Sequence, residues 1–138
     1  MDIARLRRYK DKLDLISKRK SEINEWKEAF LEDTKTSLAV YKAFQEIVEA
    51  AMDILAMISK DENYAPKDDY SNIDVVLERK IIDKKISETL KEANGLRNRI
   101  IHYYNGLNAE RAYESILYLL PSFDVFSEVV ERWLEKKG

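Results

Sequence analysis

The chain has no cysteine, only three glycines, two prolines and a single histidine among its 138 residues. Without cysteine, disulfide bonds and thiolate metal sites are excluded, and a reducing cytoplasm is the expected compartment. The few glycines and prolines disfavour a fold of short strands and tight turns. No apolar run approaches the ~20 residues of a membrane-spanning helix. The first residues, MDIARLRRYKDK, also lack the apolar core of an export signal.

Amphipathic helical patterns fill most of the chain, in which 36% of residues are charged and 45% are hydrophobic. Apolar residues recur at three- and four-residue steps in four long segments, which predicts four long helices. The positions in these stripes are Leu6, Tyr9, Leu13, Ile16, Ile23, Trp26 and Phe30; Leu38, Tyr41, Phe44 or Gln45, Val48, Met52, Leu55 and Ile58; Ile86, Leu90, Ala93, Leu96, Ile100 and Tyr103; and Ala112, Ile116, Leu119, Phe123, Phe126, Val130 and Trp133. We therefore expect one all-α domain over residues 1–138, an up-and-down four-helix bundle with one extra short helix.

Polar residues indicate where several of these helices begin, bend or end. Asp33 or Thr34 can cap the second long helix, and Asn108 can cap the last one. Pro121 lies inside the last pattern and is expected to kink it or to split it in two, because proline cannot donate a helical hydrogen bond.

Two further segments define the middle of the chain. Asp61–Asn72 carries Pro66 and clustered Asp, Asn and Ser, so we interpret it as a loop, followed by the short helix from Ile73 to Arg79. The third long helix is predicted from Asp83 to about Tyr104. Asn105-Gly106 is expected to stop it, since both residues tolerate the left-handed conformation.

A cationic stripe runs through residues 5–20 of a chain whose formal net charge is −2. The stripe contains Arg5, Arg7, Arg8, Lys10, Lys12, Lys18, Arg19 and Lys20, against Asp11 and Asp14. Such a stripe can attract phosphates, or it can be a solvated helix face laced with ion pairs. The sequence leaves both interpretations open.

One short segment carries most of the chemistry that the chain offers. Its only histidine, His102, lies five residues after Arg97 and two residues before Tyr104. Imidazole is the one side chain whose unperturbed pKa lies near neutrality, so His102 is the natural proton-transfer group. A guanidinium such as that of Arg97 can bind a phosphate and offset charge that builds up on it. The combination suggests phosphodiester chemistry.

The helical positions of these residues predict a polar arc on the third long helix. At roughly 100° per residue, the polar residues share an arc of about 160°, opposite the core-facing Leu96, Ile100 and Tyr103. The arc contains Asn94, Arg97, Asn98, His102, Tyr104 and Asn105. A histidine near a helix C-terminus can also serve only as a dipole-favoured cation or a cap.

Arg97 and His102 flank this arc instead of pointing at one spot, because they are about 140° apart on the helical wheel. A second copy of the helix across a two-fold axis would bring two arginines and two histidines into one cleft. Ile101 and Leu90, which interrupt the arc, would suit the contact between subunits. We therefore expect a homodimer.

The segment LRNRIIHYYNGLN resembles the Arg-x4-His-x-Tyr signature of HEPN domains, and more specifically that of HepT-type toxins of prokaryotic toxin–antitoxin pairs. The order of the first two helices, the irregular loop and the last helix is also similar. The resemblance implies a homodimeric four-helix bundle with both motifs at the subunit cleft. It further implies endoribonuclease activity that needs no metal or other cofactor.

The resemblance also assigns roles to single residues. Arg97 and His102 become the catalytic pair, and Asn98 the polar residue that follows the arginine. Asn94 is added as a supporting polar residue by its position on the helical arc, not by the resemblance. The implied partner is a small nucleotidyltransferase antitoxin, which in some members transfers AMP to the motif tyrosine, here Tyr104. RNA would be the substrate, and no membrane is involved.

Two other functions remain open from the sequence. The chain could be a noncatalytic helical partner of a nucleotidyltransferase, with the polar arc as a docking surface. It could also be a plain helical oligomerisation module without nuclease activity.

Overall fold

The computed structural model describes residues 1–138 and contains six α-helices and no strands, which confirms the predicted all-α fold. The helices are α1 (Ile3–Trp26), α2 (Thr34–Asp61), α3 (Asp69–Glu78), α4 (Lys84–Tyr103), α5 (Ala109–Leu119) and α6 (Ser122–Lys137). Single 3-10 turns, Lys27–Ala29 and Tyr104–Gly106, follow α1 and α4. None of the helices combines the length and the apolarity that crossing a lipid bilayer requires.

Helices α1 and α2 form an antiparallel pair. Three ion pairs connect them in reversed order: Arg5 with Asp61, Lys12 with Asp53, and Arg19 with Glu46. Part of the cationic stripe is thus an ion-paired helix face. The other part is exposed and has no carboxylate within ion-pair distance; it consists of Arg7, Arg8, Lys10 and Lys18.

All six helices contribute to one cluster of 35 buried hydrophobic residues. Its largest enclosed side chains are aromatic: Tyr9, Phe30, Phe44, Phe123 and Phe126. Burying one such side chain contributes roughly 1.5–3 kcal/mol, so these rings hold the helices in register. Two predicted core positions are wrong, since Leu38 is 45% exposed and Tyr103 is 69% exposed. Leu38 is the first position of its apolar pattern and Tyr103 is the last, and each lies where its helix extends beyond the core.

Side-chain caps start three of the long helices; those at Asp33 and Asn108 were predicted, whereas Asp83 was predicted only as the start of its helix. Asp33, Asp83 and Asn108 accept hydrogen bonds from backbone N–H groups two or three residues later, at 3.1, 2.8 and 3.0 Å. Such a cap satisfies a donor that the first helical turn leaves without a partner. The predicted effect of Pro121 is also confirmed, because α5 ends at Leu119 and α6 begins at Ser122.

The segment interpreted as a loop is helical over its second part, so the predicted start of the short helix is wrong. Asp68 accepts a hydrogen bond from the Ser71 N–H at 2.8 Å and caps a helix that begins at Asp69. Asn72 is buried, and its side-chain amide bonds both the N–H and the carbonyl of Lys67. The clustered Asp, Asn and Ser are therefore capping residues as well as loop residues.

Helix α4 ends close to the predicted place for a different reason. Neither Asn105 nor Gly106 adopts a left-handed backbone, so the expected stop mechanism is wrong. The helix ends because Tyr103 takes φ −142° and ψ 31°, and Tyr104–Gly106 continue as a 3-10 turn. Tyr104 therefore follows the last residue of the α-helix.

Candidate functional site at the end of helix α4

The rotation of α4 is fixed by its buried residues. Leu90, Leu96 and Ile100 are each at most 4% exposed, and they hold one side of the helix against the core. The residues between them turn outward to different degrees, because a helix places successive side chains about 100° apart. Arg97 comes to lie at the edge of the core, whereas His102 is exposed.

The Arg97 guanidinium is held by three helices. Its Nη2 donates hydrogen bonds to Asn94 Oδ1 and to Asp69 Oδ2, both at 2.8 Å. Its Nη1 lies 3.6 Å from Glu49 Oε2 on α2. The side chain is only 14% exposed, and its buried Nε has no hydrogen-bond partner. The guanidinium is therefore positioned in advance, with two carboxylates beside it.

Asn94 lies one turn before Arg97 and is only 1% exposed. Its carbonyl oxygen orients the guanidinium, so the structure brings two of the predicted site residues together. Asp69 and Glu49 belong to the same cluster but were missed by sequence reasoning. Asp69 lay in the segment interpreted as a loop, and neither carboxylate belongs to the motif around Arg97. No pattern in the sequence identifies them.

His102 and Tyr104 lie on the solvent side of the same helix end. His102 is exposed and forms no hydrogen bond within the chain, and its ring centroid is 6.4 Å from that of Tyr103. Tyr104 is 50% exposed. Asn98 is half-buried and forms no side-chain hydrogen bond. Within one chain, no hydrogen bond joins Arg97 to His102.

An open apolar cavity of about 280 Å³ adjoins this end of α4. It is lined by Leu38, Tyr41, Lys42, Gln45, Ile100, Ile101 and Tyr104. Of the two residues expected at a subunit contact, Ile101 is 39% exposed and accessible. Leu90 is 1% exposed, so its proposed place at such a contact is wrong. It faces the core because it is on the same side of α4 as Ala93 and Leu96.

Comparisons with known proteins identify the family of the chain. The family model described as ribonuclease HepT-like matches residues 7–130. The chain belongs to this HepT-like family of HEPN proteins. Among the relatives of this HepT-like chain is a protein of Archaeoglobus fulgidus inferred to be an RNase, 37% identical over 96% of this chain and 97% of its own length. Another is the mRNA nuclease HepT of Shewanella oneidensis, 25% identical over 74% of this chain and 77% of its own.

Solved structures show the same fold. The HEPN toxin of Shewanella oneidensis, in tri-AMPylated form and in complex with an MNT antitoxin, has a TM-score of 0.85 and 22% identity. The match covers 96% of this HepT-like chain and 99% of the toxin. YutE of Bacillus subtilis, a cytosolic protein of unknown function, has a TM-score of 0.71 and 16% identity over 88% and 90% of the two chains. At these identities the likeness concerns the fold alone.

Proposed function

We propose that this chain is an endoribonuclease toxin that cleaves RNA without a metal ion and is silenced by a nucleotidyltransferase antitoxin. The observation that carries the proposal is the exposure of the only histidine at the end of α4, one to two turns beyond a guanidinium that is already positioned. Membership of the HepT-like family supports it, as do relatives described as RNases.

RNA carries its own nucleophile, the 2′-hydroxyl, so its cleavage needs proton transfer and charge stabilisation. Neutral His102 removes the proton from the 2′-hydroxyl, whose oxygen attacks the adjacent phosphorus. As the bond from phosphorus to the 5′-oxygen breaks, the protonated His102 of a second copy gives its proton to that oxygen. Each transfer contributes on the order of 10²–10⁴-fold. The products are a 2′,3′-cyclic phosphate and a free 5′-hydroxyl. DNA lacks the nucleophile and should not be cleaved.

Arg97 binds the non-bridging phosphate oxygens in this proposal. Both N–H groups of Nη2 are engaged by Asn94 and Asp69, whereas Nη1 makes only the longer 3.6 Å approach to Glu49. The Nη1 donors are thus the ones available to a phosphate. A charge held in place before the reaction is most effective where negative charge develops in the transition state.

A direct assay tests the nuclease. Wild-type protein should cleave single-stranded RNA in the presence of EDTA and leave the matching DNA intact. His102→Ala should lower the rate at least 100-fold. Arg99→Ala, which removes an exposed arginine from the same helix, should retain the rate. RNA cleavage that His102→Ala leaves unchanged would exclude this mechanism.

The two-fold arrangement rests on the exposed apolar residues beside the motif. Leu38, Ile101 and Tyr104 surround one open cavity, and covering them with a second copy would remove apolar surface from water. Ile101→Glu should convert a dimer into a folded monomer, as measured by light scattering, and should also lower RNA cleavage. A wild-type protein that is monomeric at micromolar concentration would contradict the shared cleft.

The proposed regulation acts on Tyr104. A nucleotidyltransferase would let the Tyr104 hydroxyl attack the α-phosphate of ATP, which forms an AMP ester and releases pyrophosphate. The ester adds a bulky anion beside His102 and competes with RNA. Tyr104→Phe should prevent both the modification and the silencing. Tyr103→Phe, at the neighbouring exposed tyrosine, should prevent neither. Undiminished cleavage by fully modified protein would exclude this regulation.

A noncatalytic partner of a nucleotidyltransferase is the second candidate. It is favoured by the two carboxylates, Asp69 and Glu49, which already offset the charge of Arg97. The two functions differ in one result. The His102→Ala variant should form the complex with the nucleotidyltransferase in both cases, but only the nuclease loses an activity.

A further inference from the structure

A second candidate site lies at the C-terminal end of α3. The first site adjoins the start of the same helix, where Asp69 contacts Arg97. Two open cavities of about 420 and 460 Å³ lie between the end of α3, the connection to α4, and one face of α6. They share Lys80, Ile81, Val129 and Arg132, so they form one continuous depression, here named the α3–α6 groove. Each cavity has the size of a small-molecule site, about 300–1,000 Å³.

One half of the α3–α6 groove is strongly cationic. Its charged lining consists of Arg79, Lys80, Arg132, Lys136 and Lys137, with Glu62 as the single carboxylate. The Glu62 side chain is 8% exposed and pairs with Lys137 at 2.6 Å and with Arg79 at 3.3 Å. These pairs account for two of the five cations. The remaining three form no ion pair and surround one cavity, in a chain whose net charge is −2.

Helix dipoles explain only part of this cluster. Lys136 and Lys137 are in the last turn of α6, where a cation is favoured by the carbonyl dipoles. Arg132 lies more than one turn before the end of that helix, yet it lines both cavities. Lys80 has φ 60°, a left-handed backbone that favours glycine over any residue with a side chain. The chain thus places a lysine at the groove against its backbone preference.

The other half of the groove is mainly apolar. Leu77, Ile82, Ile86 and Val129 line it, together with the carboxylate of Asp83. The groove therefore presents three cations without carboxylate partners next to an apolar wall. A ligand that matches both halves has an anionic part and an apolar part in one small molecule.

We propose that the α3–α6 groove binds a nucleoside phosphate, with the phosphate against Lys80, Arg132 and Lys136 and the base against the apolar wall. The ligand is either a free nucleotide or one nucleotide of a single-stranded RNA. The groove is separate from the motif, because α3 has ten residues, about 15 Å of helix, between the contact of Asp69 with Arg97 and the groove. The inference therefore does not depend on the proposed cleavage.

Trp133 provides the reporter for a test. It lines the cationic cavity, and its indole N–H is buried without a hydrogen-bond partner. In a two-dimensional ¹H–¹⁵N spectrum the chain has two indole signals, since Trp26 is the other tryptophan, and Trp26→Phe assigns them. AMP should shift the Trp133 signal in a saturable way, and adenosine and inorganic pyrophosphate should each bind at least tenfold more weakly.

A second titration distinguishes a free nucleotide from a nucleotide of single-stranded RNA as the ligand. A 2′-O-methyl tetranucleotide presents the RNA backbone without the nucleophile, so the proposed nuclease cannot consume it. Tighter binding of the tetranucleotide than of AMP identifies RNA as the ligand, and the reverse order identifies a free nucleotide. Either order supports the proposal. A Trp133 signal that none of the ligands moves would overturn it, as would pyrophosphate binding as tightly as AMP.

Two double variants test whether AMP binds in the α3–α6 groove. The double variant Arg132→Gln/Lys136→Gln should weaken AMP binding at least tenfold. Lys10→Gln/Lys18→Gln removes the same charge from the exposed face of α1 and should leave the affinity unchanged within twofold. Equal losses in both double variants would mean that overall charge alone attracts the ligand, and would overturn the proposal.

Lys80→Gly separates binding from folding. Glycine accepts the left-handed backbone, so the melting temperature should stay the same or rise by a few degrees, while the affinity for AMP falls several-fold. Unchanged affinity in this variant would contradict the role of Lys80 in the groove.

Discussion

The two ends of α3 use charge in opposite ways. At its start, Asp69 and Glu49 flank a single guanidinium, that of Arg97. At its end, Glu62 is the single carboxylate among five cations in the cationic half of the α3–α6 groove. At the first end the single guanidinium has two carboxylate partners within the protein, and these contacts fix the direction of its side chain. Charge at the second end is in excess and faces solvent. The comparison indicates that an anionic ligand is more readily accepted at the second end of α3, where cations outnumber carboxylates, than at the first, where carboxylates outnumber the guanidinium.

The largest difference between the two ends should appear in RNA cleavage. We expect Arg97→Ala to lower kcat by roughly 10²–10³-fold, the usual cost of removing a group that stabilises developing charge. Arg132→Gln should leave kcat unchanged and act, if RNA occupies the groove, only on KM. Initial rates measured over a range of RNA concentrations separate the two constants. A similar fall of kcat in both variants would contradict the assignment of catalysis to Arg97 and not to Arg132.

Stability should distinguish the same two arginines. Arg97→Ala leaves the buried carbonyl of Asn94 and two carboxylates without their donor, so unfolding in urea should become easier by about 1–3 kcal/mol. Arg132→Gln and Arg99→Ala change exposed residues and should stay within about 0.5 kcal/mol of the wild type. If Arg97→Ala changes the free energy of unfolding by less than this, the contacts of Arg97 with Asn94, Asp69 and Glu49 do not stabilise the fold.

The smallest expected effect is the pH dependence contributed by Glu62. Its hydrogen bond with Lys137 holds the pKa of this carboxyl below the ordinary value of 4.5. A lowered pKa in the folded state stabilises the protein above that ordinary value, and the contribution is lost as the pH falls through the folded pKa. Glu62→Gln should therefore reduce the free energy of unfolding by up to about 1 kcal/mol at pH 7, and by less below pH ~4.

Thermal unfolding of wild type and Glu62→Gln across this pH range checks the sign. A difference in stability that grows as the solution is acidified would contradict the assignment. Glu62→Asp serves as the control, because it keeps the charge while shortening the side chain.

The sequence predicted those features that depend on periodicity and on short-range capping. The long helices, the caps at Asp33 and Asn108, and the break at Pro121 were all predicted from residues within one or two turns of one another. The end of α4 was placed well, but for the wrong backbone reason. Most of the secondary structure could therefore be predicted from local sequence patterns.

What the sequence did not predict depends on contacts between distant segments. The cluster around Arg97 joins residues from α2, α3 and α4, separated by up to 48 positions, and no spacing rule connects them. The exposure of Tyr103 follows from the place where α4 leaves the core. The roles of Arg97 and His102 in catalysis, of Asn94 and Asn98 as supporting residues, and of Tyr104 as a modified residue stay predictions.

Asn72, in the first turn of α3, fixes the end of the irregular segment that precedes this helix. Its buried amide ties the backbone of Lys67 on both sides, so residues 67–72 are closed into a small ring of hydrogen bonds. Asp69, the residue that holds Arg97, lies inside that ring. Local opening of this ring would release the contact of Asp69 with Arg97 without disturbing the core. The rate of hydrogen exchange at the Lys67 amide measures how often the ring opens, and slow exchange means that it is stably closed.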